Sequence, residues 1–232
     1  MNYDKRICCF IDILGFRDHI KETIDKEGND VVERIEKIKY ILDLSKKMTD
    51  DSGFSKSKIV TYFSDSIVIS YDYKEPSQLY HTLIDLLYMS FELANQGFLA
   101  RGGVSIGKLV HNEEFIFGPA MVKAYDLESK KAIYPRIIIE KEVVENGINY
   151  KVDNHSCDDE LQYILNIITE DKDGNFYIDY ISKCSSEFNN PEYDLYSYLE
   201  QLKKLFIDFD RMDTKIQRSE ERRVGKECRS RW

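Results

Sequence analysis

The sequence predicts a mixed α/β (α+β) fold, a ferredoxin-like βαββαβ sandwich with C-terminal additions. Short β-branched runs alternate with segments of helical periodicity. Two such runs are separated by only two residues, which is typical of a tight hairpin. The order is β-α-β-β-α-β and then β-α-β. The chain of 232 residues has 42% hydrophobic and 32% charged residues, an ordinary composition for a globular protein with a sizeable core.

The first half of the predicted unit begins with a buried strand over the apolar run 6–13. Residues 30–48 place their apolar side chains at helical spacing, and the polar stretch 50–57 predicts a loop. Two β-branched and aromatic runs, 58–63 and 66–72, then flank Ser64 and Asp65. These two residues predict the tip of a hairpin.

The second half begins with a helix that Pro76 opens and Gly97 closes. A glycine-punctuated strand is expected next, followed by further strands and helices. They are a strand at 99–110, a hairpin return at 113–117, a helix from Gly118, strands at 136–140 and 176–181, and an amphipathic helix at 193–209. Without a repeat or an obvious linker, residues 1–217 are predicted to form a single domain.

Charge and cysteine content exclude several classes of partner. With 33 basic and 42 acidic residues the net charge is −9, which argues against a nucleic acid or an anionic membrane as partner. No apolar run reaches the roughly 18–20 residues that span a bilayer. The five cysteines show no zinc-type spacing. Free thiols of this kind suit a reducing compartment, so a cytoplasmic protein is expected.

The last fifteen residues, 218–232, differ from the rest of the chain in composition. They contain six basic residues, Trp232 and Cys228. A charged tail is often an interaction arm. This one resembles the in-frame translation of a common sequencing adapter, so we interpret it as non-native and leave it out of the fold prediction.

Two aspartates are predicted to face each other at one edge of the sheet. Asp12 ends the first strand, and Asp65 lies at the tip of the hairpin beside that strand. Two close carboxylates repel each other unless a cation lies between them, and magnesium or manganese prefers such oxygen ligands. Behind Asp12 the chain turns through Gly15 into a helix at 14–20 whose N–H groups favour phosphate. The spacing predicts a metal–triphosphate site; otherwise Asp12 caps a helix and Asp65 only forms the turn.

Four motifs in this order resemble those of class III nucleotidyl cyclase domains. They are FIDILGF at 10–16, FSDS at 63–66, RGGVSIG at 101–107 and GPAMVKAYDLE at 118–128. The resemblance covers roughly residues 6–140. The residues within the motifs are most similar to those of the pyrimidine cyclases of bacterial Pycsar antiphage defence.

The resemblance implies a homodimeric cyclase with its sites between subunits, which converts UTP or CTP to a cyclic monophosphate. UTP, giving cUMP, is favoured. Two ions, Mn²⁺ or Mg²⁺, would bind Asp12, Asp65 and the backbone carbonyl of Ile13. Backbone amides from Ile13 to Phe16 would hold the phosphates.

The chain departs from the purine-cyclase pattern where a lysine and an aspartate select adenine. Thr61 and Phe115 occupy those positions. Neither can repeat the adenine contacts, so a pyrimidine is expected, and the neighbouring Tyr62 is a candidate for the base contact. The alternative is that Tyr62 and Phe115 are ordinary strand residues.

A second departure concerns the asparagine and arginine that usually steady the ribose and the transition state. Val122 and Asp126 occupy those positions. Another cation would have to supply the charge, and Arg101 is the preferred catalytic candidate, because a charged residue on an apolar strand needs a partner. Lys123 and Arg136 are the others. The alternatives are a purine cyclase with an unusual pocket and a catalytically degenerate domain that binds nucleotide and regulates a partner.

Overall fold

The computed structural model describes residues 2–50 and 57–208, with no side chains described for 45–50. The predicted loop lies mostly outside these residues, and the unusual tail lies wholly outside them. The chain divides into two compact units, Met1–Glu187 and Phe188–Trp232.

The first unit contains the predicted ferredoxin-like core. Its four strands pair antiparallel in the order β2-β3-β1-β4, as a βαββαβ unit requires. The strands are β1 (Asp4–Leu14), β2 (Ile59–Phe63), β3 (Ser66–Asp72) and β4 (Leu99–His111). The predicted hairpin between the second and third strands is confirmed.

Four helices accompany these strands: α1 (Phe16–Lys21), α2 (Val32–Asp50), α3 (Gln78–Asn95) and α4 (Pro119–Lys131). Helices α2 and α3 connect the strands and lie on one side of the sheet, which we call the α2–α3 face. Helix α4 packs on the other side, called the α4 face. Gly97 follows α3 with φ 80°, a left-handed conformation that glycine adopts without strain, which confirms the predicted stop.

Alternation along β1 divides its residues between the two faces. Ile7 and Ile11 point to the α2–α3 face and are at most 1% exposed. Cys8 and Phe10 pack on the α4 face, beside Ala120 and other residues of one cluster. Cys8 and Cys9 are both 0% exposed free thiols and belong to the core.

Helix α4 lies very close to β4. A Cβ atom added to Gly103 would lie 2.2 Å from the carbonyl oxygen of Ala124, so only glycine fits there. The Ser105 hydroxyl donates to the carbonyl of Ala120 at 2.7 Å. These contacts fix α4 across the strand that carries Arg101.

The sheet extends beyond the core to the order β2-β3-β1-β4-β6-β8-β7, and β5 pairs with β4. The additional elements are β5 (Ile116–Phe117), β6 (Ile137–Ile139), α5 (Lys141–Gly147), α6 (Cys157–Leu165), β7 (Ile168–Glu170) and β8 (Phe176–Ile178). The sequence prediction missed α5, α6 and β7. The predicted strand at 176–181 is shorter, because the Asp179 carboxylate instead accepts bonds from the backbone and hydroxyl of Ser182.

In the second unit, a helix occupies residues 191–208, close to the predicted 193–209. It begins at Pro191, since proline suits the first turn of a helix. Within residues 2–50 and 57–208, the helices are all too short or too polar to cross a membrane.

Candidate active site

The structure brings Asp12 and Asp65 together, as predicted. Asp65 lies in the two-residue turn between β2 and β3, where Ser64 adopts φ 56°. The backbone N–H of Ile13 donates to the carbonyl oxygen of Asp65 at 2.9 Å, which docks the turn against the end of β1. Burial raises the pKa of Asp12, and the nearby Asp65 carboxylate raises it further, against the opposing effect of Arg101.

Arg101 lies between two acidic side chains. It is the register partner of Asp12 across the β1–β4 pair. Its Nη2 is 3.6 Å from Asp12 Oδ2, whereas its Nε is only 2.7 Å from Glu128 Oε1. Burial also raises the pKa of Glu128, and Arg101 opposes that rise. The guanidinium is thus held mainly by Glu128 and compensates Asp12 only in part.

The importance of Glu128 was missed in the sequence. It is 4% exposed and lies on the face of α4 that packs on the sheet. The signal was its spacing, four and eight residues after the buried Ala124 and Ala120. A carboxylate at such a position needs a buried partner, and here the partner is Arg101.

The other two candidate cations lie elsewhere. Lys123 is half-exposed and pairs with Glu140 at 3.4 Å and Glu142 at 3.3 Å. Arg136 is buried and pairs with Asp171 and Asp173. It therefore stabilises the contact between β6 and the β7–β8 turn. Of the three candidates, Arg101 is the one that the structure places beside Asp12.

The donor chemistry of the aspartate pair fits a hard divalent cation. Among the residues that the structure describes, no group of three or more His, Cys, Asp or Glu side chains is placed to hold a metal. Magnesium, however, commonly takes only one or two carboxylates and completes its shell with water and phosphate. Because Arg101 is bound more closely by Glu128, the repulsion between Asp12 and Asp65 is incompletely compensated, and a cation would relieve it.

Part of the predicted phosphate-binding segment is already bonded or buried within the fold. The Ile13 N–H already donates to Asp65, and the side chains of Ile13 and Phe16 are 1% and 7% exposed. Only backbone groups of these residues could therefore meet a ligand. Gly15, with φ 70°, precedes α1, and the first two amides of that helix, Phe16 and Arg17, have no intrahelical partner, whereas the Asp18 N–H donates to the Gly15 carbonyl. The segment that could hold a phosphate thus narrows to the amides that follow Ile13.

Thr61 and Tyr62 point to opposite faces of the sheet. Thr61 is the register partner of Val68 and lies on the α4 face with Asp12. Tyr62 pairs with Ile67 and lines a groove against α2, next to Ile38. The structure therefore does not bring Tyr62 to the aspartates, because alternation along β2 sends it to the α2–α3 face.

The remaining positions singled out in the sequence are exposed. Phe115, in the turn between β4 and β5, is 51% exposed, and Val122 on α4 is 61% exposed. Asp126 pairs with Lys130 one turn along the same helix, at 2.9 Å. The Tyr125 ring lies on the same helix and contacts Phe10 edge to face, with ring centroids 5.4 Å apart.

A chain of polar side chains on the α4 face was also missed in the sequence. Arg6 Nε donates to Ser70 Oγ at 2.8 Å, and Ser70 Oγ is 2.7 Å from His111 Nδ1. His111 Nε2 is in turn 2.9 Å from Thr61 Oγ1. Burial, with a smaller contribution from the Arg6 charge, lowers the pKa of His111 to about 4. The imidazole is therefore neutral at pH 7.

Comparisons with known proteins give structural neighbours only. No protein-family model matches the chain, and no curated protein matches it either. A bacterial light-regulated adenylyl cyclase is similar at 16% identity and a TM-score of 0.47, covering 62% of this chain and 79% of the other. The adenylyl cyclase CyaB from P. aeruginosa is similar at 15% identity and 0.47, covering 77% and 94%. An adenylate/guanylate cyclase/hydrolase from Silicibacter pomeroyi gives 16% and 0.42, covering 75% and 95%.

Proposed function

We propose that the chain is a nucleotidyl cyclase of the class III type, which converts UTP to 3′,5′-cyclic UMP and pyrophosphate. One observation carries the proposal: the Ile13–Asp65 backbone bond docks the hairpin tip beside Asp12. Two carboxylates thus meet on a ferredoxin-like sheet at the positions whose motifs resemble the metal-binding aspartates of that family. The resemblance to Pycsar cyclases supports a role of the product as a second messenger in antiphage defence.

Asp12, Asp65 and the carbonyl of Ile13 would hold two divalent ions, Mn²⁺ or Mg²⁺. When bound, these ions would lower the pKa of the ribose 3′-hydroxyl and neutralise the triphosphate. The 3′-oxygen, its proton lost to water, forms a bond to the α-phosphorus. The bond from that phosphorus to the bridging oxygen breaks, and pyrophosphate leaves with the electron pair.

Arg101 would supply the charge that Val122 and Asp126 cannot. Its guanidinium lies beside Asp12 and is about one-third exposed, so a phosphate can reach it. Glu128 holds the guanidinium in place through an ion pair, with Oε1 2.7 Å from Nε. A cation held next to the reacting phosphate stabilises the charge that develops in the transition state.

Exposed apolar side chains near α4 support a homodimer with sites between the subunits. Val122, Tyr125, Phe115 and Phe117 are between 44% and 61% exposed. A second copy would cover such a surface, since exposed apolar groups that cluster mark interaction sites.

Two other functions are the alternatives to this proposal. A purine cyclase would keep the mechanism and change the base contacts. A degenerate domain that only binds nucleotide is favoured by the exposed Val122 and by the Asp126–Lys130 pair. Retention of both aspartates at one edge argues for catalysis, because binding alone has less need of two metal ions.

The test is to incubate the full chain with ATP, GTP, CTP and UTP separately, in Mn²⁺ and in Mg²⁺, and to identify products by mass. We expect cyclic UMP. Cyclic AMP or GMP would overturn the pyrimidine assignment. Absence of any cyclic product, with nucleotide binding intact, would favour the degenerate domain.

A further inference from the structure

The polar chain from Arg6 to Thr61 has a definite hydrogen-bond direction. Arginine only donates, so the Ser70 oxygen accepts from Arg6 Nε. Among the described residues, the acceptor within reach of the Ser70 hydroxyl proton is His111 Nδ1, at 2.7 Å. The neutral imidazole therefore accepts at Nδ1 and carries its proton on Nε2. The positive charge of Arg6 on the Nδ1 side favours the same tautomer.

The direction of these hydrogen bonds determines where the hydroxyl proton of Thr61 can point. His111 Nε2–H donates to Thr61 Oγ1 across 2.9 Å, so the hydroxyl proton of Thr61 must point elsewhere. Within the described part of the chain no side chain or carbonyl accepts it. Thr61 is partly buried and faces the same side as Asp12. It therefore presents an oriented donor at the site.

The distance from the aspartates indicates which part of a nucleotide would meet this donor. Strand β3 separates Thr61 from the strand of Asp12, so the two residues are two strand spacings, about 10 Å, apart across the sheet. They are also offset by two residues, about 7 Å, along it. With the triphosphate at the aspartates, the edge of the base farthest from the ribose can reach Thr61.

We infer that Thr61 is a specificity-determining residue that donates to the 4-carbonyl of uracil and selects UTP over CTP. The inference rests on the proposed function and names the substrate of that site. Uracil has an acceptor oxygen at position 4, whereas cytosine has an amino donor there. Because Thr61 Oγ1 accepts from His111, its proton is free for the uracil oxygen, whereas the cytosine amino group offers that proton no acceptor and leaves it unpaired.

The experiment measures binding without turnover, using 3′-deoxy-UTP and 3′-deoxy-CTP, which lack the attacking hydroxyl. Calorimetry with Mn²⁺ gives both dissociation constants for each protein. The wild-type chain should bind the uracil compound at least tenfold more tightly. Thr61→Val, similar in size and without the hydroxyl, should lose about five- to tenfold of that preference, the effect of one hydrogen bond. Thr61→Ser should retain it.

Two further variants test the direction of the hydrogen bonds that run from Arg6 to Thr61. His111→Phe and Ser70→Ala should lower the preference while affinity for the cytosine compound stays within twofold or rises. Nitrogen-15 NMR should show His111 protonated on Nε2, assigned by loss of the signal in His111→Phe. A proton on Nδ1 would overturn the inference.

The outcomes separate this inference from the proposed function. Tight binding with an unchanged uracil preference in Thr61→Val would overturn the role of Thr61 and leave the cyclase proposal standing. Failure of the wild-type chain to bind either nucleotide would overturn both.

Discussion

The two faces of the sheet differ sharply, although the same strands build both. On the α2–α3 face, Ile7, Ile11, Ile67 and Ile69 are at most 1% exposed, and the charged groups Lys58 and Asp85 pair with each other at 3.3 Å. Tyr71 also donates to Asp85 there. On the α4 face, an apolar centre beneath α4 is bordered by Asp12 and Arg101 at one edge and by the Arg6–Thr61 chain at another. The faces differ in how their charges are compensated: Lys58 and Asp85 pair with each other, whereas Arg101 lies closer to Glu128 than to Asp12 and compensates Asp12 only in part. Breaks in an apolar pattern of this kind concentrate at functional sites.

The largest expected effect is the loss of turnover in Asp12→Ala and in Asp65→Ala, by at least about a thousandfold, because two-metal chemistry needs both carboxylates. Product formation from UTP and Mn²⁺ measures it. Asp153→Asn, which changes an exposed carboxylate far along the chain, should keep full activity. Full activity in either aspartate variant would contradict the two-metal site.

Asp12 should lower the stability of the folded chain at neutral pH. Burial raises the pKa of Asp12, so the folded state disfavours the ionised form at pH 7. Stability from this group is present at low pH and is lost as pH rises through the raised pKa. Asp12→Asn should therefore unfold at an equal or higher temperature than the wild-type chain at pH 7, as followed by circular dichroism. A clear drop would show that Asp12 serves the fold.

The apolar centre of the α4 face should tolerate little change where α4 approaches β4. Gly103→Ala should lower the free energy of unfolding by roughly 3 kcal/mol, because the new methyl group would overlap Ala124. Gly107→Ala is the matched control, since its Cβ would lie 3.6 Å from the Ala120 methyl group, an ordinary contact. Urea unfolding compares them, and equal losses would contradict the close packing.

A smaller effect is expected from Glu128→Gln. Without the carboxylate, Arg101 should move towards Asp12 and compete with the metal ions. We expect activity to fall about tenfold, which corresponds to about 1.4 kcal/mol in activation free energy. The Mn²⁺ concentration that gives the half-maximal rate should rise. Glu142→Gln, which removes an exposed partner of Lys123, should change neither quantity. An unchanged Mn²⁺ requirement in Glu128→Gln would remove Glu128 from the site.

A further effect concerns the pH dependence of stability. The pKa of His111 is lowered to about 4 by burial, whereas the unfolded chain binds the proton near the ordinary value of 6.5. As pH falls from about 6.5 towards 4, the unfolded chain binds a proton that the folded chain does not. His111 therefore lowers the free energy of unfolding in this pH range. Urea unfolding of wild type and His111→Gln should show their difference shifting in favour of the variant as pH falls from 7 to 4.5. Parallel pH profiles would contradict a buried neutral His111.

Much of the fold could be predicted from the sequence because strands β1 to β4 have apolar patterns and clear turn residues. The placement of Asp65 beside the end of β1, where Asp12 lies, followed from the order of those strands. Short elements such as α5 and β7 carry too few periodic residues to predict, although the capping box of Ser156 and Asp159 before α6 offered a local signal. The position of Tyr62 was misjudged because one residue along a strand reverses the face. Glu128 and His111 depend on partners far apart in sequence, which spacing alone does not reveal.

The central claim is that Asp12 and Asp65 together hold divalent ions that bind a nucleotide on the α4 face. Calorimetry of 3′-deoxy-UTP binding, with and without Mn²⁺, tests it independently of turnover. For the wild-type chain, Mn²⁺ should strengthen binding at least tenfold, and this gain should disappear in Asp12→Asn and in Asp65→Asn. The same Mn²⁺-dependent gain in all three proteins would contradict the account.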